Sequence, residues 1–190
     1  MLKTWPLVDA HIEGDYRIFK LWRERARSPR TGRVHDFYVL ESPDWVNVIP
    51  VTPEGDVVMV RQYRHGIKRV TLEIPGGLVD DGENPAEAAR RELLEETGYA
   101  AGRIVHLGTV DAQPAMQTNR CHTYLALGCA RVGTPDPDAG EDLRVVRFPV
   151  SEVPGRVRAG EITHGLVLAA FYWYELWLRE QGTEQQGLGR

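Results

Sequence analysis

Cysteine is nearly absent, with Cys121 and Cys129 the two in 190 residues. They lie on one predicted strand, roughly 27 Å apart if it is extended, which is too far for them to bridge each other. Both read as small buried hydrophobes. Basic charge has no surplus: 23 Lys and Arg face 27 Asp and Glu, and a net charge of −4 leaves no footprint for nucleic acid. A small substrate is expected instead. No apolar run approaches a membrane span, and the start Met-Leu-Lys-Thr-Trp-Pro lacks an apolar core of signal-peptide length, so a cytoplasmic protein off the membrane is expected. No covalent nucleophile is implied either, since neither cysteine nor any Ser-His pairing accompanies the acidic motif below.

What is present suits one globular domain with an appendage, at 42% hydrophobic and 26% charged residues. Between Tyr16 and Glu41, the alternation in 17–22 and 34–40 reads as two strands of an antiparallel hairpin joined by Ser28-Pro29-Arg30-Thr31-Gly32. Residues 45–51 and 56–63 follow as strands around the turn Thr52-Pro53-Glu54-Gly55. Further strands are expected at 104–110, 122–129 and 143–150, and a long aromatic-rich helix at 163–180 that packs on the sheet or at a dimer interface. Residues 133–140 read as a mobile acidic loop. The divisions are 1–44 as a strand region, 45–180 as the main domain and 181–190 as a fraying tail. By composition alone the class is α+β.

The chemistry is concentrated between Gly77 and Tyr99. Asn84-Pro85-Ala86-Glu87 is a helix start with an N-cap residue, proline at N1 and glutamate at N3, and Gly98 stops the helix. On that helix Glu92, Glu95 and Glu96 share a stripe at i,i+3 and i,i+4, while Ala86, Ala89 and Leu93 face an apolar neighbour. Glu83 precedes them in the loop. Like charges this close favour ionisation only around a cation, and all-oxygen ligands suit Mg²⁺ or Mn²⁺. Gly76 and Gly77 permit backbone conformations that let a carbonyl turn inward as a further ligand. Arg91, i,i+4 from Glu95, can hold that carboxylate in position.

Gly77, Glu83, Arg91, Glu92, Glu95, Glu96 and Gly98 fit the pattern G-x5-E-x7-R-E-U-x-E-E-x-G-U (U apolar) at every fixed position, a coincidence expected in about one window in 10⁸. In this the chain resembles the Nudix family from about Trp45 to Leu178; only Tyr99 fits the last U loosely. The resemblance implies an α/β/α sandwich with a mixed sheet, preceded here by the N-terminal hairpin region. It also implies that Glu92 and Glu96 are the principal metal ligands, that Glu83 and Glu95 lie at or beside the metal, and that Arg91 orients them. Val60-Arg61-Gln62-Tyr63-Arg64, Thr71-Leu72-Glu73-Ile74-Pro75-Gly76-Gly77 and Pro114 resemble the ADP-ribose pyrophosphatase branch. There the counterparts of Arg64 and Glu73 serve substrate phosphate binding and metal or water ordering. On the residues themselves, a buried, paired structural role is the alternative for Glu73. Members of the branch commonly exchange N-terminal strands in a homodimer, so Arg17, Arg23, Arg33 and His35 could reach a neighbour's substrate; solvated strand faces also explain them.

One departure concerns specificity. Where the branch often carries an acidic residue five positions after the proline, this chain has Asn119, which with Gln117 can bond a sugar hydroxyl or base, or cap the next strand. The implied reaction is attack of water on the diphosphate of ADP-ribose or a related nucleoside diphosphate sugar. For the base, Glu141 in a loop is the candidate, with Asp138, Asp142, Glu73 and Glu95 as substitutes. Hydrolysis of a dinucleoside polyphosphate, or a catalytically silent module that senses a nucleotide sugar, remain alternatives.

Overall fold

The N-terminal alternation folds as three strands, β1 (Leu7–Asp15), β2 (Lys20–Arg27) and β3 (Val34–Glu41), in an antiparallel sheet of that order. The expected hairpin is β2–β3, paired in continuous register from Lys20↔Glu41 to Arg27↔Val34. β1 is an addition. Its sequence, Leu-Val-Asp-Ala-His-Ile-Glu-Gly-Asp, alternates weakly, and register shifts interrupt its pairing with β2. It is a strand because β2 offers an open edge to complete its hydrogen bonds. The computed structural model describes residues 2–137 and 140–187 and divides into two compact units. One comprises the N-terminal sheet, up to Asp44, with Asp111–Arg120; the other comprises Trp45–Val110 and the chain from Cys121 onward.

The second unit is built on a seven-stranded mixed sheet. Its elements are β4 (Trp45–Val51), β5 (Asp56–Arg64), β6 (Arg69–Glu73), β7 (Gly76–Leu78), α1 (Pro85–Thr97), β8 (Tyr99–Ala100), β9 (Arg103–Asp111), β10 (Arg120–Leu127), β11 (Ala130–Arg131), β12 (Leu143–Pro149), α2 (Val153–Arg158) and α3 (Gly165–Gly187). The strand order is β12-β5-β4-β10-β9, with β6 on β5 and β7 on β4; β8 and β11 form a separate small ladder. β4 and β10 pair in parallel, and both are buried on both faces. Val46 and Val48 pack with Ala88, Ala89 and Leu93 of α1 on one side; Ile49 and Val51 pack with Val167, Ala170, Phe171 and Tyr174 of α3 on the other. The sandwich is therefore α/β/α. Leu93 has no exposed surface, and burying it contributes about 1.5–3 kcal/mol.

Cys121 and Cys129 are both buried. α2 was not legible beforehand, since Pro154 and Gly155 both argue against a helix. Proline is tolerated in the first turn, and Arg156 secures the segment by pairing with Glu152 at 2.8 Å and Glu161 at 2.9 Å. Of the segments read from sequence, part of the acidic loop, with Asp138, and the last three residues of the tail lie outside the described residues.

Candidate active site

α1 presents the acidic stripe because its ends are set locally. Asn84 Oδ1 accepts from the Ala86 N–H at 2.8 Å, Pro85 sits in the first turn, and Gly98 closes the helix at φ 72° with its N–H on the Leu94 carbonyl. The apolar face buries Ala88, Ala89 and Leu93, which leaves Glu92 and Glu96 on a flank 9% and 3% exposed.

Arg91 organises this flank. Its Nε and Nη2 donate to the two oxygens of Glu83 at 3.0 and 2.9 Å, its Nη1 to Glu92 Oε1 at 2.7 Å and Glu95 Oε2 at 3.1 Å, and its Nη2 also to the Leu78 carbonyl at 3.0 Å. The expected Arg91–Glu95 contact is one part of a larger clamp that ties the loop carboxylate Glu83 to the helix. Glu83 is held below the usual carboxylate range by its hydrogen bonds from Arg91.

Glu96 is left out of the clamp. Its Oε2 accepts from the Gly76 N–H at 3.1 Å, and its pKa is pushed up to about 9, first by burial and then by the charge of Glu92, with Glu141 adding to the repulsion. Glu92 is also raised, by burial above all. The need for glycine at 76 and 77 is room. Neither has a positive φ; a Cβ on Gly76 would strike the Val46 carbonyl, and one on Gly77 would strike the Glu92 carboxylate. Space opposite the backbone, rather than an unusual backbone conformation, is what these two positions require.

These groups fit a hard divalent cation as a partial cradle. Among the described residues no three Asp, Glu, His or Cys side chains close on one point. Mg²⁺, however, is commonly held by one or two carboxylates and completes its shell with water and phosphate oxygens. Glu92 and Glu96, buried together with little positive charge to spare, are such a pair. Glu95 is more exposed and leans on Arg91.

Beside this flank, Glu73 at the end of β6 is 2% exposed. Arg64 grips it with Nε to Oε1 at 3.0 Å and Nη2 to Oε2 at 2.8 Å, Thr71 donates to Oε1 at 2.5 Å, and His164 Nδ1 lies 3.6 Å from Oε2. Burial raises the carboxyl, but these hydrogen bonds and the charges of Arg64 and His164 outweigh it and hold the group below its ordinary value. Arg64 is raised chiefly by its hydrogen bonds to Glu73, with weaker help from the charges of Glu96 and Glu141, which places all four groups in one electrostatic neighbourhood.

Asn119 belongs to the N-terminal unit, where it is 2% exposed and neither side-chain amide atom has a hydrogen-bond partner among the described residues. Sequence reasoning missed His164, Thr71 and Asn47. Asn47 Nδ2 donates to the Leu166 carbonyl of α3 at 3.3 Å, and no local pattern announces such a contact across 119 positions.

A model of the NUDIX domain matches residues 42–170. An ADP-ribose pyrophosphatase of Mycobacterium tuberculosis is 36% identical over 154 residues, 80% of this chain and 74% of that protein. One from Bacillus subtilis is 34% identical over 110 residues, and there the match spans 58% of this chain and 59% of the relative. A crystal structure of an ADP compounds hydrolase superposes with a TM-score of 0.85 over 96% of this chain and 98% of its own, and its 22% identity makes that a likeness of fold. With the carboxylate helix, its arginine clamp and the sandwich all in place, the chain belongs to the NUDIX family and is one of its pyrophosphohydrolases.

Proposed function

We propose that this protein hydrolyses the diphosphate linkage of a nucleoside diphosphate sugar, ADP-ribose or a near relative, to a nucleoside monophosphate and a sugar phosphate. The observation that carries the reading is the buried Glu92–Glu96 pair beside the Arg64–Glu73 pair, in a chain whose relatives bear the name ADP-ribose pyrophosphatase. One end of such a site suits a cation and the other suits phosphate oxygens. Glu92 and Glu96 would hold Mg²⁺ or Mn²⁺, with Glu95 and the Gly76 carbonyl as further donors. Such an ion, when bound, neutralises phosphate charge and acidifies water.

The chain's own residues do the positioning. Arg91 fixes Glu83, Glu92 and Glu95, and Arg64 meets phosphoryl oxygens with the donors that Glu73 leaves free. Water oxygen forms a bond to one phosphorus, the bridging P–O bond breaks, and the water's proton passes to a carboxylate. We assign that proton to Glu141, whose charge is felt by Glu92, Glu96 and Arg64. The reaction belongs to the cytoplasm, where a buried thiol such as that of Cys129 is at home. We further assign a homodimer, because the N-terminal sheet exposes Leu7, Ile12, Phe37 and Tyr38. Trp5, Arg33 and His35 line a cleft of about 590 Å³ on the same unit.

The test is release of monophosphate from a nucleotide library containing ADP-ribose, GDP-mannose, UDP-glucose and diadenosine polyphosphates. ADP-ribose or another nucleoside diphosphate sugar should turn over with Mg²⁺ or Mn²⁺ and cease to with EDTA, and Glu141→Gln should lower kcat by about 10²–10⁴ with KM near wild type. Turnover confined to dinucleoside polyphosphates, or undiminished by EDTA, would refute the reading.

A further inference from the structure

His164 stands immediately before α3, where its carbonyl accepts from the Leu168 N–H at 3.0 Å. A capping residue needs no particular side chain for that. Yet the imidazole turns Nδ1 inward, where it is buried and faces Glu73 Oε2 at 3.6 Å, while the side chain as a whole is 42% exposed. The two ring nitrogens are separated by one carbon and point in diverging directions, so with Nδ1 facing the carboxylate from beyond hydrogen-bond reach, Nε2 is directed away from it.

Arg64 repeats this arrangement on the same carboxylate. Its Nε and Nη2 are committed to Glu73, Nη1 is left over, and its side chain is 44% exposed. One buried acid thus faces two side chains, bonded to Arg64 and 3.6 Å from His164, and each of them has a nitrogen left for a ligand. A carboxylate behind an imidazole sets the ring's orientation.

A chain of contacts ties this pair to the candidate site. Glu96 accepts from the Gly76 amide; Gly76 is paired with Asn47 across β7 and β4; Asn47 donates to the Leu166 carbonyl in the first turn of α3. His164, two residues before Leu166, faces Glu73, Glu73 holds Arg64, and Arg64 feels the charge of Glu96. The carboxylate pair and the Arg64–His164 pair are thus linked through β7, β4, β6 and the start of α3.

We propose that His164 is a substrate-contacting residue whose Nε2 donates to a non-bridging oxygen of the substrate's diphosphate, beside Arg64 and across from Glu92 and Glu96. The inference rests on the pyrophosphohydrolase reading with a nucleoside diphosphate sugar as substrate. A diphosphate is the ligand that needs charge neutralised on both sides, and His164 supplies a donor on the side that a cation at Glu92 and Glu96 does not reach.

Two isosteres separate contact from scaffolding. Asn places an amide near the position of Nδ1 and can still face Glu73; Gln reaches the position of Nε2. On ADP-ribose, His164→Asn should raise KM by about 10- to 100-fold with kcat changed much less, the size of a lost hydrogen bond to a charged group. His164→Gln should recover most of that loss. Calorimetric binding of an ADP-ribose analogue with a methylene group for the bridging oxygen should weaken by the same factors, and melting temperatures should show both variants folded. Wild-type KM and analogue affinity in His164→Asn, or recovery by Asn and not by Gln, would overturn the inference while leaving the pyrophosphohydrolase reading intact. A wild-type protein that turns over no nucleoside diphosphate sugar would refute that reading and the inference with it.

Discussion

Glu96 and Glu73 are both almost wholly buried, at 3% and 2% exposure, yet their carboxyls shift in opposite directions. Burial pushes each of them up. At Glu73 the hydrogen bonds from Arg64 and Thr71 reverse the shift, whereas Glu96 has the charge of Glu92 beside it and one amide in support, and rises to about 9. Stability follows each with its own sign. Between 4.5 and about 9, native Glu96 retains a proton that the unfolded chain releases, so raising the pH through that window removes stability from the metal-free protein. Glu73, being depressed, contributes above its unfolded value and is lost only as the pH falls through the folded one. In EDTA, the melting temperature should therefore fall from pH 6 to pH 8.5, and Glu96→Gln should flatten much of that fall. An equally steep decline in Glu96→Gln would remove Glu96 as its source. At this scale the sequence named nearly every carboxylate and the arginine that clamps them, because their spacing is local to one helix. It did not name His164, whose partner Glu73 lies on another element.

Among the elements, α1 and β7 contrast in how they come to exist. α1 has its cap, its proline, its apolar face and its terminating glycine within one stretch of chain, and each acts on its immediate neighbours. β7 is Gly76-Gly77-Leu78, with no strand propensity of its own. It is a strand because β4 supplies partners, Asn47↔Gly76 and Val46↔Gly77, at a distance that excludes a side chain. The two glycines therefore predict different failures. Gly76→Ala meets backbone, at the Val46 carbonyl and the Asn47 Cα, and should lower the melting temperature. Gly77→Ala meets the Glu92 carboxylate, a movable group, and should leave the fold nearly as stable while lowering kcat/KM by about 10²-fold through displaced geometry. Kinetics and thermal melts of the two variants check this. Full activity in Gly77→Ala would show that Glu92 has room to move without consequence.

At the scale of the molecule, the chain carries two units with different burial. The Nudix unit encloses residues such as Val48, Ile49, Met59 and Leu125 with no exposed surface. The N-terminal sheet has Ala26 and Ser28 as its buried residues, and leaves Leu7, Ile12, Phe37 and Tyr38 42–58% exposed. A three-stranded sheet with apolar side chains in solvent is the observation behind the proposed homodimer. Light scattering at micromolar concentration should give twice the 21.4 kDa chain mass. A monomer mass with intact activity would exclude a dimer as part of the working enzyme.

The sequence by itself determined the carboxylate helix, its caps, the place of Arg91 beside Glu95 and the central strands β4, β5 and β10, since each depends on neighbours within a few residues or on plain hydrophobic patterning. Tertiary structure alone decided β1, β6 and β7, strands completed by an edge supplied from elsewhere in the chain. It also decided why positions 76 and 77 are glycine, which is a matter of what lies opposite them. The cationic side of the site belongs here too. Arg64 and Glu73 were named from sequence as candidates, but their bidentate pairing and the arrival of His164 from 91 residues beyond Glu73 depend on β5, β6 and the start of α3 meeting in space. Hydrogen bonds and ion pairs are short-ranged in space and indifferent to separation along the chain, so this half of the site exists only once the sandwich has closed.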